Sequence, residues 1–240
     1  MCFTIRRCHT AQLNNFFGKK MCMKWLLSLF FFLSGGIANA YEEDGQQWLV
    51  ITAQSVSNSG LGGYLELQSR RSQRLERINE YLLRPAIFYK SENSGFFFLG
   101  TLKRFDYAAS ENENRHWVQW LNTFNAENLK LTTRFRQEYR DIRNVEAVSH
   151  RSRLMLKGSS DDFSLGYGWK PFLATELFYN WNDAGLLKQG LHQSRNSMGI
   201  GKTLNVSLTL EASYMAQVLN NSGREDQLNH NIVFSLNLNL

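Results

Sequence analysis

The residues of this 240-residue chain that could act as bases or nucleophiles do not form a catalytic motif. Hydrolysis by a Ser and His pair needs both side chains within hydrogen-bonding reach and a third polar group that orients the His. Beyond residue 40 the histidines are His116, His150, His192 and His230. His116 and His230 fall on apolar faces of their segments, and His150 and His192 lie near strand ends. The sequence therefore predicts no catalytic residue and disfavours an enzyme without excluding one.

Two further short motifs are better explained by structure than by chemistry. Asp161-Asp162 stands in a Ser/Asp turn, where a pair of acids is normally solvated. Gly199-Ile200-Gly201-Lys202 lacks the strand, loop and helix that a phosphate-binding loop needs, and its glycines favour close packing in a barrel wall. No cluster of His, Asp or Glu has the spacing of metal ligands. We predict no metal and no cofactor.

Charged side chains at every second position are the strongest chemical pattern in the chain. They are Arg134, Arg136, Glu138 and Arg140 in one segment, and Arg151, Arg153 and Lys157 in the next. The planar guanidinium of Arg can bond two carboxylates and stack on rings, which suits a crowded polar interior. The pattern predicts an Arg and Glu network, or a basic constriction that binds or passes small anions.

The segments that must position these charges alternate between apolar and polar residues, as β-strands do. In the last segment Leu228, Ile232, Phe234 and Leu236 share one face, and asparagines dominate the other. The predicted strands are 46–54, 62–71, 79–90, 95–106, 114–124, 128–140, 148–158, 171–181, 190–201, 204–218 and 228–240. Residues 163–169 extend one of these or form another. We expect an even number, 10 or 12, as in a closed bacterial barrel.

Two architectures fit such strands. A soluble sandwich or lipocalin-like barrel encloses its apolar faces, and a transmembrane barrel exposes them to lipid. The charged polar faces favour the transmembrane barrel, and so does the amphipathic strand that ends at Leu240. Aromatic residues give weaker support, because Trp48, Trp117 and others fall toward predicted strand ends, as an interfacial girdle requires. The alternative is that aromatic residues simply favour strands.

The first forty residues are predicted to be an export leader. Lys24 precedes the apolar run 25–33, and Ala38-Asn39-Ala40 is a small-x-small cleavage site. The run is too short to span a bilayer, so we expect cleavage after Ala40 and a start at Met1, Met21 or Met23. All three cysteines precede the cut. The leader holds five of the 27 basic residues and no acid, so 22 basic and 21 acidic residues remain, which argues against nucleic-acid binding.

Several motifs in order resemble one family. They are Leu83-Arg84-Pro85, Glu113-Asn114-Arg115 with Gln119, the run 134–140, Arg151-Ser152-Arg153-Leu154, Thr175-Glu176-Leu177-Phe178, Gln193-Ser194-Arg195 with Gly199 and Gly201, and Glu211 to Tyr214 with Gln217. In these residues the chain is similar to the domain-of-unknown-function 2490 family over about residues 46–240. The resemblance implies a Gram-negative outer-membrane barrel and no particular reaction.

We therefore predict an all-β fold: one antiparallel up-and-down transmembrane barrel of about 10 to 12 strands over residues 41–240, in the outer membrane. The predicted lumen network is Arg84, Glu113, Arg115, Gln119, Arg134, Arg136, Glu138, Arg140, Arg151, Arg153, Glu176, Arg195, Glu211 and Gln217. The expected role is structural or a narrow passage for small solutes. The alternatives are an enzyme acting on lipid or lipopolysaccharide, and a soluble periplasmic binder. The expected partners are outer-membrane lipid and the barrel-assembly machinery, and the sequence does not indicate an oligomeric state.

Overall fold

A computed structural model describes residues 41–72, 77–107, 113–126, 129–160, 163–220 and 226–240. The predicted leader, its cleavage site and Asp161-Asp162 lie outside the described residues. The strands are β1 (Tyr41–Val56), β2 (Leu61–Ser72), β3 (Arg77–Ser91), β4 (Gly95–Asp106), β5 (Glu113–Ala126), β6 (Leu129–Ile142), β7 (Ser149–Ser160), β8 (Lys170–Asn180), β9 (Gly190–Asn205), β10 (Leu208–Leu219) and β11 (Asp226–Asn239). No helix in the described part of the chain has the length and apolarity to cross a bilayer.

These eleven strands form one closed barrel, in which each strand pairs with its neighbours in sequence. β1 closes the sheet against β11 in parallel, in a ladder that runs from Tyr41 opposite Asp226 to Gln54 opposite Asn239. The predicted all-β barrel of 10 to 12 strands is confirmed. The expected even number is wrong for the described residues, and so is a purely antiparallel sheet. An odd number of up-and-down strands leaves the first and last strands pointing the same way, so they can pair only in parallel.

Residues 163–169, which the sequence left as a possible extra strand, form a connection between β7 and β8. The backbone turns through Gly166 and Gly168, whose φ angles are 102° and 80°. These positive φ angles suit glycine, which lacks a Cβ. The amide of Leu165 donates to the carbonyl of Trp169 at 2.9 Å, which closes the turn locally. The strand alternation therefore stops at Ser160 and resumes at Lys170.

The two ends of the barrel differ in their connections. At one end the connections are 57–60, 92–94, 127–128, 161–169 and 206–207, and we call it the hairpin end. At the other end they are 73–76, 107–112, 143–148, 181–189 and 220–225, and we call it the loop end. β11 ends at the hairpin end, and β1 begins at the loop end.

Alternation assigns one face of each strand to the interior of the barrel. On β6, for example, Arg136 is 2% exposed while its neighbour Phe135 is 46% exposed. Because successive side chains of a strand point to opposite faces, the buried set lines the lumen and the exposed set covers the outer wall. One apolar cluster of the interior lies on β3, β4 and β5 and is formed by Leu82, Phe88, Phe98, Leu102 and Trp117.

Candidate functional site

The candidate site is the polar lumen, and the structure places every residue of the predicted lumen network on its inward face. Residues that lie opposite each other on paired strands share one face of the sheet. Gln119 lies opposite Arg136, Arg136 lies opposite Arg153, and Glu176 lies opposite Arg195. Most members of this network are buried. Arg134, Arg195 and Glu211 are half-buried. The functional role of the network stays a prediction.

Glu113 is the acid with the most complete set of partners. Its carboxylate is 1% exposed and accepts hydrogen bonds from two guanidinium groups. Arg115 donates through Nε at 2.7 Å and Nη2 at 2.7 Å, and Arg140 donates through Nε at 2.6 Å and Nη2 at 3.3 Å. Arg104 approaches at 3.8 Å. A buried carboxylate needs this degree of pairing, because desolvation of an unpaired charge costs several kcal/mol.

Two further glutamates join strands β6, β7 and β8. Glu138 accepts from Arg151 at 2.5 Å and from Arg153 at 2.9 Å. Glu176 accepts from the same Arg153, through Nε at 2.9 Å, and from Arg134 at 2.7 Å. Arg153 therefore bridges two acids, which gives a continuous charged chain across the lumen.

A second set of pairs, on β2, β3 and β4, was not predicted from the sequence. Glu66 is bonded to Arg84 and accepts from the hydroxyl of Tyr64 at 2.7 Å. Glu80 is bonded to Arg70 at 3.0 Å and to Arg104 at 2.7 Å. The signal was present in β2, because Tyr64, Glu66, Gln68 and Arg70 alternate, but only the denser Arg runs were considered.

The inward aromatic rings are the main correction to the sequence analysis. Trp48 and Trp117, expected at a membrane interface, are buried in the lumen at 4% and 2% exposure. The guanidinium carbon of Arg136 lies 4.4 Å from the ring centroid of Trp117, and that of Arg70 lies 3.9 Å from Trp48. Aromatic faces attract cations, so these rings add to the stabilisation of both guanidinium groups.

Phe178 has a similar role at the centre of the network. It is 1% exposed, and three guanidinium carbons lie near its ring: Arg153 at 4.5 Å, Arg195 at 4.7 Å and Arg151 at 5.2 Å. The apolar ring separates like charges and gives each of them a favourable face. Alternation on β8 could have indicated its position, because Phe178 shares a face with Glu176.

Three inward glycines each lie directly opposite an aromatic residue on the next strand. The pairs are Gly62 with Phe88, Gly100 with Trp117, and Gly199 with Phe172. A Cβ at Gly100 would lie 2.4 Å from Cζ2 of Trp117, and one at Gly199 would lie 2.7 Å from Cζ of Phe172. The missing side chain leaves room for the ring to lie across the neighbouring strand. This explains Gly199 without any phosphate-binding loop.

Two arginines have mainly neutral partners. Arg136 donates through Nε at 2.8 Å and Nη2 at 2.6 Å to the amide oxygen of Gln119, while Glu138 lies 3.7 Å away. With its amide oxygen turned toward Arg195, Gln193 accepts from Nε at 2.7 Å and from Nη2 at 3.0 Å. Amides thus solvate guanidinium groups that carboxylates do not fully pair.

The described ion pairs of the lumen contain more bases than acids. Apart from the pair of Lys157 and Glu211, ten arginines pair with six acids, an excess of four positive charges. Arg does not lose its proton in proteins, so this excess persists at every pH at which the fold survives. The set of described ion pairs in the lumen is therefore net positive.

The histidines lie where the sequence analysis expected them. His116 and His230 face outward, and His150 and His192 lie at the beginnings of β7 and β9. Nδ1 of His230 is hydrogen-bonded to the hydroxyl of Tyr214 at 2.6 Å, and the ring of His150 packs edge-on against Tyr139. Among the described residues, no group of three His, Cys, Asp or Glu side chains is placed to hold a metal ion.

Comparison with known families gives a match over residues 45–229 to the family described as "Protein of unknown function (DUF2490)". The chain belongs to this family. One relative is an uncharacterized protein of Methylorubrum extorquens strain AM1. It is 25% identical over 225 residues, which cover 89% of this chain and 95% of that protein. A solved structure of the NanC porin covers 82% of this chain and 99% of its own, with 12% identity and a TM-score of 0.46.

The family match confirms the resemblance drawn from the sequence motifs. It includes the strands from β2 to β10 in full, and so contains all the arginines and glutamates of the predicted lumen network. The description of the DUF2490 family assigns no reaction, so function must be inferred from the barrel itself.

Proposed function

We propose that the chain spans the bacterial outer membrane as a β-barrel whose lumen is filled by a structural polar network. The observation that carries this proposal is the reversal of faces, with charges buried inside and apolar side chains exposed outside. Every strand exposes at least one large apolar or aromatic side chain on the outer wall. They include Leu49, Leu65, Ile87, Leu99, Val118, Phe135, Leu154, Tyr179, Met198, Tyr214 and Phe234.

Such a continuous belt does not suit a surface in water. Soluble monomers rarely expose apolar patches larger than a few hundred Å². The strands contain 11 to 16 residues, and a tilted strand crosses a bilayer in about 9 to 11. The predicted export leader supports the same location. Outer-membrane lipid would then contact the belt, and the barrel-assembly machinery would insert the chain.

Polar side chains on the outer wall between β6 and β9 also fit a lipid environment, because they bond to each other. Ser152 donates to Gln137 at 2.5 Å, and Thr175 donates to Asn196 at 2.9 Å. In hydrocarbon, polar groups need protein partners because water is absent. These pairs satisfy that need within the wall of a single barrel.

The lumen network supports a structural role rather than a wide pore. Glu113, Arg136, Glu138, Asn180 and Asn231 are each at most 2% exposed, so side chains fill the cross-section toward the loop end. A solute of nutrient size would have to break several buried ion pairs to pass. We expect the barrel to exclude such solutes.

Two measurements on protein refolded into lipid vesicles test this proposal. The folded barrel should float with the vesicles and should migrate on a gel differently before and after boiling. Vesicles that carry it should not swell in sugar solutions that swell porin-containing vesicles. Protein that folds but stays in the aqueous fraction would refute membrane insertion, and rapid swelling would refute a filled lumen.

A second candidate function, narrow passage of small anions, is favoured by the excess of arginine over acid in the lumen. Positive rings lining a constriction select anions. Planar-bilayer recordings should then show small conductance steps with anion preference, reduced by Arg134→Ala or Arg136→Ala. A bilayer that stays silent with inserted protein would refute passage and would leave the structural role in place.

A further inference from the structure

The two halves of the lumen differ in how far solvent reaches. Along β10, Glu211 and Ser213 are half-buried, and Met215, closer to the loop end, is buried. Along β11 the same change occurs between half-buried Ser235 and buried Asn231. Since the closed sheet encloses these inward side chains, solvent must reach them through the hairpin end.

We call the solvent-reached half the vestibule. Its half-buried inward side chains include the small or polar residues Thr52, Ser197, Glu211, Ser213, Ser235 and Asn237. On the opposite side of the lumen, Phe88 and Phe98 of the apolar cluster lie toward the same end. The hydroxyl of Thr52 donates to the amide oxygen of Asn237 at 2.6 Å, so polar groups of the vestibule wall bond to each other.

Two basic side chains face this vestibule and are partly open to solvent. The side chain of Arg134 is 20% exposed and that of Lys157 is 25% exposed, compared with 2% for Arg136 behind them. Lys157 donates to Glu211 of the wall at 2.5 Å, and Arg134 donates to Glu176 at 2.7 Å through one nitrogen. Both cations therefore keep donors that an incoming ligand can use.

Arg136, next to Arg134 on the inward face of β6, is weakly paired. It lies opposite Arg153 on β7, and the carboxylate of Glu138 is 3.7 Å from its Nη1. Among the described residues, buried guanidinium nitrogens without an acceptor are Nη1 of Arg136 and Arg140 and Nε of Arg70, Arg84, Arg104 and Arg134. Buried donors without acceptors destabilise a fold, and those of Arg134 and Arg136 lie next to the vestibule, so an added anion there would be favourable.

We propose that the vestibule binds a small oxyanion, a carboxylate or a phosphate, held by Arg134 and Lys157. A guanidinium fork and an ammonium group match the oxygens of such an anion, and the hydroxyls of Ser213 and Ser235 can complete its hydrogen bonds. The barrel wall separates the vestibule from bilayer headgroups, so the ligand is a free oxyanion. This inference does not rest on membrane insertion.

Calorimetric titration with inorganic phosphate tests the proposal, using the whole barrel refolded in detergent micelles at constant ionic strength with chloride as the background anion. The wild-type barrel should bind phosphate saturably, with one site per chain. Arg134→Gln should weaken binding about tenfold, the loss expected for one charged hydrogen-bonding partner. Glu176 keeps Arg153 in this variant, so the network retains a partner for each acid.

Arg70→Gln is the matched control, because it removes the same charge from the lumen on the loop-end side while Glu80 keeps Arg104. It should leave phosphate affinity within about twofold of wild type. Ser235→Leu fills the vestibule without changing its charge and should abolish phosphate binding. This variant tests the site even if Arg134→Gln does not fold. A folded wild-type barrel without saturable phosphate binding, or equal weakening by Arg70→Gln, would overturn the proposal.

Discussion

At the residue scale, the lumen contains three buried glutamates that each hold several arginines. Glu138 is 1% exposed. Its carboxylate lies 2.5 Å from Arg151, 2.9 Å from Arg153 and 3.7 Å from Arg136. Replacing a buried pair by apolar residues can be neutral, but removing one partner leaves a buried charge without compensation. The structure therefore predicts unequal effects for acids and arginines, because arginines are in excess.

Glu138→Gln should lower the free energy of unfolding by about 3 to 5 kcal/mol, since Arg151 would lose its acid and Arg153 would keep only Glu176. Urea titration of protein refolded in vesicles measures this change. Glu211→Gln, at the more exposed pair with Lys157, should cost less than about 1 kcal/mol. Similar losses for the two variants would show that burial of Glu138 has no energetic consequence.

A glycine opposite an aromatic ring gives the second residue-scale prediction. In Gly100→Ala the new Cβ would meet Trp117 at 2.4 Å and the Cβ of Ala86 at 2.7 Å, so the ring must move. Overpacking of this kind costs about 1 to 3 kcal/mol. Gly63→Ala on β2, where nothing lies within 4 Å of the added Cβ, should leave stability nearly unchanged in the same urea titration. If the two variants unfold alike, the ring does not need the glycine.

At the element scale, alternation was sufficient to predict the strands but not how they close. The eleven predicted ranges each correspond to an observed strand, because a one-residue slip would exchange the charged and apolar faces. The number of strands was expected to be even from the known pattern of bacterial barrels rather than from any residue. Nothing in Thr52 or Asn237 alone indicates that β1 and β11 pair in parallel.

A disulfide can test the parallel seam directly, because all three cysteines precede residue 41 and the barrel residues contain none. Thr52 lies opposite Asn237, and their side chains are hydrogen-bonded at 2.6 Å. With both residues replaced by Cys, mild oxidation should cross-link the folded barrel, seen as a mobility change that reductant reverses. The Thr52→Cys and Asn231→Cys pair, out of register by six residues, should not cross-link. Cross-linking of the second pair alone would exclude the observed register.

At the scale of the whole molecule, the sequence analysis placed polar residues on one face but could not show which face is enclosed. Its charged runs and apolar faces were assigned correctly to the interior and the outer wall. The inward aromatics were not predicted, because Trp117 and Phe178 are apolar residues on otherwise polar faces and were expected at the membrane interface or on the outer wall, although alternation places them with Gln119 and Glu176. Glu66 and Glu80 were not predicted either, because β2 and β3 contain fewer closely spaced arginines than β6 and β7, although Glu66 alternates with Gln68 and Arg70.

The arrangement of the whole barrel also separates a packed half from a solvent-reached half. That difference depends on buried side chains such as Glu113, Arg140 and Asn231 toward the loop end and on small side chains of β9 to β11 toward the hairpin end, which meet only when the sheet closes. Stability is therefore expected to depend mainly on the packed half, and ligand binding on the vestibule.

Collision of attached spin labels with oxygen and with a water-soluble nickel chelate tests the central claim that apolar faces contact lipid while polar faces line the lumen. Labels on single cysteines at Phe135, Leu154 and Met198 should collide preferentially with oxygen, which concentrates in lipid. Labels at Ser213 and Ser235 should collide preferentially with the nickel chelate, which enters the vestibule from water. Preferential collision of the labels at 135 and 154 with the nickel chelate, or no collision of these labels with either reagent, would contradict a barrel with apolar side chains outside and polar side chains inside.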